Sequence, residues 1–147
     1  MSTPRIWLSR WYLFLAGVAL VTCWRQNLEF TAETHVTLAT AFATFWPALL
    51  VNHATTSITI DIFLFGLAAV TWMLIEARRV GVRFVWVYVV LGFAIAISVT
   101  FPLFLVARER RLHALAEKEP AVTTSDLVGL ACFALPLLAF SFWTLGR

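Results

Sequence analysis

One apolar stretch, residues 58–77, constrains the fold of this chain more than any other feature. A helix rises about 1.5 Å per residue, so these twenty residues span about 30 Å, the thickness of the hydrocarbon core of a bilayer. The stretch nevertheless contains Asp61 and Glu76. Because an ionisable side chain costs on the order of 2.5–3.5 kcal/mol at the centre of a membrane, each carboxylate needs a stabilising partner.

Composition places the whole chain in the same class. Hydrophobic residues make up 61% of the 147 residues and charged residues only 13%, whereas soluble domains contain about 25% charged residues. The net charge is +3, but the cations cluster at the ends of apolar stretches and form no basic face. The expected partner is therefore the lipid bilayer and not a nucleic acid.

The length criterion predicts four transmembrane helices, and the longest of them contains no charge. The segment Thr123-Thr124-Ser125-Asp126 is well placed to cap the last helix. The expected fold is an all-α polytopic membrane protein, a four-transmembrane-helix bundle that forms a single membrane domain over residues 1–147. The predicted spans are residues 7–24, 58–77, 84–106 and 127–145.

Two further segments are predicted to be helical outside the spans. Apolar residues recur at helical spacing over residues 36–51, which favours an amphipathic helix that lies in the membrane interface or across the mouth of the bundle. Residues 107–120 are rich in charge and predict a helix extension that leaves the membrane. A solvated face explains that charge better than a binding site does.

The membrane orientation depends on the distribution of cations. Four spans would put both termini and the loop between spans two and three on one side, with six cations against five on the other. The count alone is not decisive, but the compact loop of Arg78, Arg79 and Arg83 favours termini in the cytoplasm of a cell inner (plasma) membrane.

The two acids of the second span have different expected partners. Glu76 is predicted to form interfacial ion pairs with the neighbouring arginines Arg78, Arg79 and Arg83. Asp61 lies one turn inside the span and has two interpretations. It is either an amino-terminal helix acid stabilised by the helix dipole and nearby hydroxyl groups, or a buried acid whose pKa is raised. In the second case it would share a polar cluster with Asn27, Asn52, His53 and Ser98.

Signals for cofactors are absent from the sequence. His35, His53 and His113 all lie outside the predicted spans, so no histidine pair is placed to ligate a membrane haem. The single lysine, Lys118, lies in a charged loop. No phosphate-binding, dinucleotide or metal-ligand motif is present, so neither a cofactor nor a metal site is expected.

Four short motifs carry a resemblance to a known family. Their order and spacing over about residues 10–112 resemble the bacterial membrane family catalogued as domain of unknown function 2834, with an additional carboxy-terminal span in this chain. The resemblance implies a multi-span inner-membrane protein with no established activity or cofactor. It also marks Asn27, Asn52, Asp61, Glu76 and Arg79 as motif positions. The motifs are residues 24–30 (WRQNLEF), 52–61 (NHATTSITID), 76–81 (EARRVG) and 101–105 (FPLFL) with 108–110 (RER).

Three functions are compatible with these features. The favoured one is a structural or accessory protein, either a subunit of a membrane complex or a homo-oligomer, whose polar residues fix helix packing. The second is a membrane-embedded enzyme on a lipophilic substrate, with Asp61 as the catalytic acid or base. The third is a small proton-coupled transporter in which Asp61 and Glu76 mark the two mouths of one pathway.

Overall fold

The computed structural model describes residues 6–116 and 122–146, and every regular element in these residues is a helix. The all-α prediction is thus confirmed. Three helices, α1, α3 and α6, are long and apolar enough to cross a membrane, and α4 is a shorter apolar helix. The elements are α1 (Ile6–Glu33), α2 (Leu38–Ala48), α3 (His53–Val80), α4 (Val85–Ala94), α5 (Ile97–Ala114) and α6 (Thr124–Thr144).

The first two long helices extend beyond the apolar stretches that predict them. Helix α1 continues nine residues past the predicted end at residue 24, and Arg25 donates a hydrogen bond to Glu29 one turn further on (2.8 Å). Helix α3 begins five residues early because Asn52 forms a capping box with Thr55. It ends at Gly81, whose φ of +73° is the left-handed conformation that suits glycine.

The predicted span over residues 84–106 is not confirmed as one helix, because the chain folds back on itself within it. Helix α4 ends at Ala94, and α5 starts again at Ile97 in the opposite direction. The rings of Tyr88 and Phe104 lie 5.8 Å apart. A continuous helix would separate these two residues by about 24 Å. We call α4 and α5 together the re-entrant hairpin.

Small residues and buried contacts explain the reversal. Gly92 lies so close to α5 that a Cβ atom there would be 2.9 Å from Thr100 Oγ1. The helix breaks at Ala96, six residues before Pro102. Proline removes a hydrogen bond from the first turns of α5, which weakens any continuous helix through this region. The hairpin packs on α3 through one core cluster, formed by Met73, Ala77, Val85, Val89 and Phe104.

Helices α3 and α5 run parallel, with α1 and α6 antiparallel to them. Gly66 faces Ile97, and ten residues further along α3 Glu76 contacts Arg108. Helix α1 packs along α5, and α2 joins its far end to the start of α3. Gln26 of α1 donates a hydrogen bond to the carbonyl of Thr144 (3.1 Å), near the ends of both α1 and α6.

The two ends of the described chain therefore lie at opposite ends of the bundle, whereas four full spans would have placed them together. The physical reason is the hairpin: α4 is about 15 Å long, half of a hydrocarbon core, and α5 returns to the end from which α4 started. The starts of α1, α4 and α6 and the ends of α3 and α5 share one end of the bundle. We call it the basic end.

The remaining predicted helices are present in part. Helix α2 lies within the predicted 36–51 segment and packs Phe45 against Phe30 of α1 and Trp46 against Phe63 of α3. Its place in the membrane interface stays a prediction. Helix α5 carries the charged extension as far as Ala114, while residues 117–120 of that prediction, with Lys118, lie outside the described residues. The predicted cap of the last helix is confirmed, since Thr123 and Asp126 form a capping box.

Candidate functional site

A cavity of ≈ 840 Å³ lies between α1, α2, α3 and the re-entrant hairpin. This volume falls within the range of about 300–1,000 Å³ typical of small-molecule sites. Most of its wall is aromatic or aliphatic, and no charged side chain is among the described residues that form it. Helix α2 contributes Phe45 and Trp46, so it covers one side of the cavity.

The tip of the hairpin forms part of the cavity wall. Residues 92–98, which include the break in the helix, all line it. Ala96 at the start of α5 offers no side chain to cap the helix, so the first amide groups of α5 lack a side-chain acceptor. In membrane proteins, interrupted helices are tolerated where their backbone is buried in protein or lines a cavity, and they commonly form binding sites.

Several hydrogen-bonding groups lie on this wall beside the hairpin tip. The indole Nε1 of Trp24 is buried and has no hydrogen-bond partner among the described residues. Asn27 follows one turn later on α1, and both residues line the cavity. Cys23 Sγ lies 3.9 Å from Ser98 Oγ, which places the start of α5 against this part of α1. The wall therefore combines a large apolar surface with a small group of polar side chains, several of them donors.

Only part of the predicted polar cluster comes together here. Asn27 and Ser98 line the cavity, whereas Asn52, His53 and Asp61 do not. Asn52 accepts a hydrogen bond from the Thr55 amide (2.9 Å), so its side chain caps α3. His53 is exposed at the first turn of the same helix.

Asp61 is exposed and forms no hydrogen bond or ion pair with the residues that the structure describes. Its position follows from the helical wheel. The buried residues Ala69, Met73 and Ala77 lie on average about 120° around α3 from Asp61 at 100° per residue. The face of α3 that packs on the hairpin is thus not the face that carries Asp61. Glu76 lies between these two faces.

Glu76 is the centre of a buried charge network at the basic end. Its side chain is 8% exposed and accepts hydrogen bonds from Arg79 (2.7 Å) and from Arg108 of α5 (2.5 Å). Arg108 in turn donates to Glu109 (2.8 Å) and lies over the ring of Trp72, 5.8 Å from its centroid. The network therefore ties the end of α5 to the end of α3.

Two of the predicted partners of Glu76 play no part in this network. Arg78 and Arg83 are exposed and form no ion pair within the described residues. Arg108 was missed because four full spans would have put it on the other side of the membrane. The available signal was Gly92 and Pro102, two residues that weaken a helix, on either side of the break that returns Arg108 to the level of Glu76.

No group of three or more His, Cys, Asp or Glu side chains that could hold a metal ion occurs in the described part of the chain. Neither the curated proteins nor the solved structures yielded a match to this sequence. A family profile described as "Protein of unknown function DUF2834" matches residues 11–110. This range includes α2, α3 and α4 and most of α1 and α5, but not α6. Since this match covers more than half of the chain, the protein belongs to the DUF2834 family.

Proposed function

We propose that this protein is an integral protein of the cell membrane, with its basic end in the cytoplasm. The described residues include eight arginines, and only Arg25 lies toward the opposite end of the bundle. An excess of Lys and Arg marks the cytoplasmic side of membrane proteins. The seven others, at the basic end, are Arg10, Arg78, Arg79, Arg83, Arg108, Arg110 and Arg111.

We propose further that the protein binds a lipophilic molecule in the cavity beside the hairpin tip. The observation that carries this proposal is the cavity itself, which is apolar over most of its wall, contains a helix break, and is lined by Trp24, whose buried Nε1 has no hydrogen-bond partner among the described residues. A buried donor without a partner costs about 1–3 kcal/mol, which a ligand acceptor would offset. The ligand class is thus a molecule with an apolar body and a hydrogen-bond acceptor, such as a carbonyl or ester, at one end.

Binding has more geometric support than the chemistry expected of the acids. A catalytic Asp61 would need to face a space that holds substrate, but Asp61 is not part of the cavity wall. A proton pathway between Asp61 and Glu76 would need Glu76 accessible, whereas Glu76 is held by two arginines.

A cavity-filling variant tests the proposal. Gly66 lines the cavity, and a Cβ there would be 3.6 Å from Ile97 Cδ1, an ordinary contact. Gly66→Leu should therefore occupy part of the ligand volume. Gly129→Leu on α6 is the matched control, because a Cβ at that position meets nothing within 4 Å.

Both variants and the native protein would be purified in mild detergent, and the bound small molecules extracted and identified by mass spectrometry. We expect one lipophilic species to accompany the native protein and the Gly129→Leu control and to be depleted in Gly66→Leu. Equal amounts in all three samples, or no specific species in any, would contradict ligand binding in the cavity.

An accessory or homo-oligomeric role is a second candidate, and α6 favours it. This apolar helix has no buried residue, so it packs weakly against the rest of the chain. Cys132 is exposed on it. If α6 packs on α6 of a second copy, oxidation in membranes should link two copies in a Cys23→Ser variant and leave a Cys132→Ser variant monomeric.

A further inference from the structure

A second cavity, separate from the first, lies between the amino-terminal halves of α1 and α6. Its volume is ≈ 560 Å³, and it is an open groove. Helices α1 and α6 meet at the other end of the bundle through Gln26 and Thr144, so the groove opens toward the basic end. We call it the α1–α6 groove. Its lining residues are Trp7, Arg10, Trp11, Phe14, Leu127, Leu130, Ala131 and Ala134.

Among the described residues that line the α1–α6 groove, Arg10 is the one with a charge. It is exposed, and no carboxylate of the described residues pairs with it. A long cationic side chain near the end of a membrane helix extends toward the headgroup region, where phosphate groups are the available anions. Trp7 and Trp11 flank it, and tryptophan is the residue type typical of that same level of the membrane.

The groove below Arg10 has the shape and chemistry of an acyl-chain site. It follows α6 from Leu127 to Ala134, which is about 10 Å along the axis. Ala131 and Ala134 leave room between the two helices, and Phe14 and Leu130 supply apolar walls. An apolar groove with an unpaired guanidinium in the half nearer the basic end is complementary to a lipid tail that carries a phosphate at one end.

We propose that the α1–α6 groove binds one phospholipid with a net negative headgroup. Its phosphate accepts hydrogen bonds from Arg10, and one acyl chain lies along α6. The net charge of the headgroup follows from the surroundings, because the described residues place seven arginines and only three acids, Glu76, Glu109 and Asp126, at this end of the bundle. Clustered cations at a membrane surface favour anionic over zwitterionic lipids. The bound lipid would also fill the space beside α6, which contributes no buried residue of its own.

Native mass spectrometry of delipidated protein tests this site. Dioleoylphosphatidylglycerol and dioleoylphosphatidylethanolamine would be titrated separately into the native protein, Arg10→Gln and Arg83→Gln. Arg83→Gln is the matched control, because Arg83 is an exposed cation at the same end that does not line the groove. A groove-filling variant, Ala131→Trp, tests the acyl-chain half of the site without any change of charge.

We expect one phosphatidylglycerol to bind the native protein and Arg83→Gln with similar affinity. Loss of one charge-assisted contact should weaken binding by about tenfold in Arg10→Gln. Ala131→Trp should also lose the single bound lipid. Equal losses in Arg10→Gln and Arg83→Gln would reduce the effect to general surface charge and overturn the proposal. Equal binding of both lipids, or undiminished binding by Ala131→Trp, would also overturn it.

Discussion

Arg108 is the side chain on which the packing of the hairpin most depends. Only 13% of it is exposed, and it contacts Glu76, Glu109 and Trp72 at once. A buried ion pair adds little net stability, since desolvation of the charges offsets their attraction. Loss of one partner is different, because it leaves the other charge buried and unpaired. The network therefore acts mainly to fix where α5 lies on α3.

Replacement of Glu76 should reveal this dependence. We expect Glu76→Gln to lower the free energy of unfolding by about 2–3 kcal/mol, because Arg108 would keep its burial and its contact with Glu109 and lose the second carboxylate. Denaturant unfolding in detergent micelles measures the change. Glu29→Gln is the matched control: its ion pair with Arg25 is about 40% exposed on both sides, so its loss should cost no more than about 1 kcal/mol. Equal effects of the two variants would contradict a buried network.

Gly81 should be the least replaceable glycine among those at helix ends. Its φ of +73° disfavours any side chain, and a Cβ there would lie 2.9 Å from Arg111 Nη2. We expect Gly81→Ala to lower the free energy of unfolding by about 1–2 kcal/mol. Gly17→Ala in the interior of α1 should instead be neutral or raise it by up to about 1 kcal/mol, because nothing lies within 4 Å of its Cβ position. The same unfolding assay compares their signs, and a shared sign would count against the strained turn.

The sequence predicts the ion-pair partner of a side chain where that partner is close along the chain. The contact of Glu76 with Arg79 follows from a three-residue helical spacing. Arg108 is 32 residues from Glu76, and only the three-dimensional fold brings it near. Asp61 shows the converse problem: the helical wheel correctly groups residues by face, but it cannot tell which face the rest of the chain will cover.

At the scale of elements, hydropathy identified α1, α3 and α6 and misread the hairpin. Length and apolarity are the criteria for a transmembrane helix, and the 84–106 stretch satisfies both. Neither criterion shows whether the chain continues in one direction or reverses within the stretch. A 23-residue apolar stretch can form one straight helix or two short ones that pack on each other, and here tertiary packing of Val85, Val89 and Phe104 in the core favours the second.

An engineered disulfide distinguishes the two arrangements. Cysteines at positions 92 and 100 should link on mild oxidation, since a Cβ at Gly92 lies 2.9 Å from the Thr100 side chain. In a continuous helix the same residues would be about 12 Å apart and could not link. The variant is Gly92→Cys with Thr100→Cys in a Cys23→Ser, Cys132→Ser background, and loss of thiol labelling reports the bond.

The control for that experiment uses the same spacing in a helix that is continuous. Gly129→Cys with Leu137→Cys on α6 also separates two cysteines by eight residues. We expect full thiol labelling of this pair under the oxidation that links positions 92 and 100. Full labelling of both pairs would mean that residues 84–106 form one span after all.

At the scale of the whole molecule, the hairpin leaves three helices, α1, α3 and α6, that are long and apolar enough to cross a membrane, where the sequence predicts four. Arg108, Arg110 and Arg111 then share an end with Arg78 and Arg83. The cation count, which was nearly balanced for four spans, becomes strongly asymmetric. The nearly equal cation counts for the two sides thus resulted from the interpretation of residues 84–106 as one span. A more careful count of charges would not have changed them.

The altered topology predicts where reporters fused to the chain should be found. With the basic end in the cytoplasm, residues 115–116 after α5 should lie inside the cell and the end of α6 outside. A bacterial host would express fusions of green fluorescent protein, which fluoresces in the cytoplasm, and of alkaline phosphatase, which is active only after export. We expect fusions after Ala116 to be fluorescent and phosphatase-inactive, and fusions after Arg147 to show the reverse. Four full spans with cytoplasmic termini would exchange the two results. A third fusion, after Gly81 between α3 and α4, separates the three-crossing bundle from the four-span bundle in either orientation, because it should match the fusion after Ala116 only if α4 and α5 return to the same side.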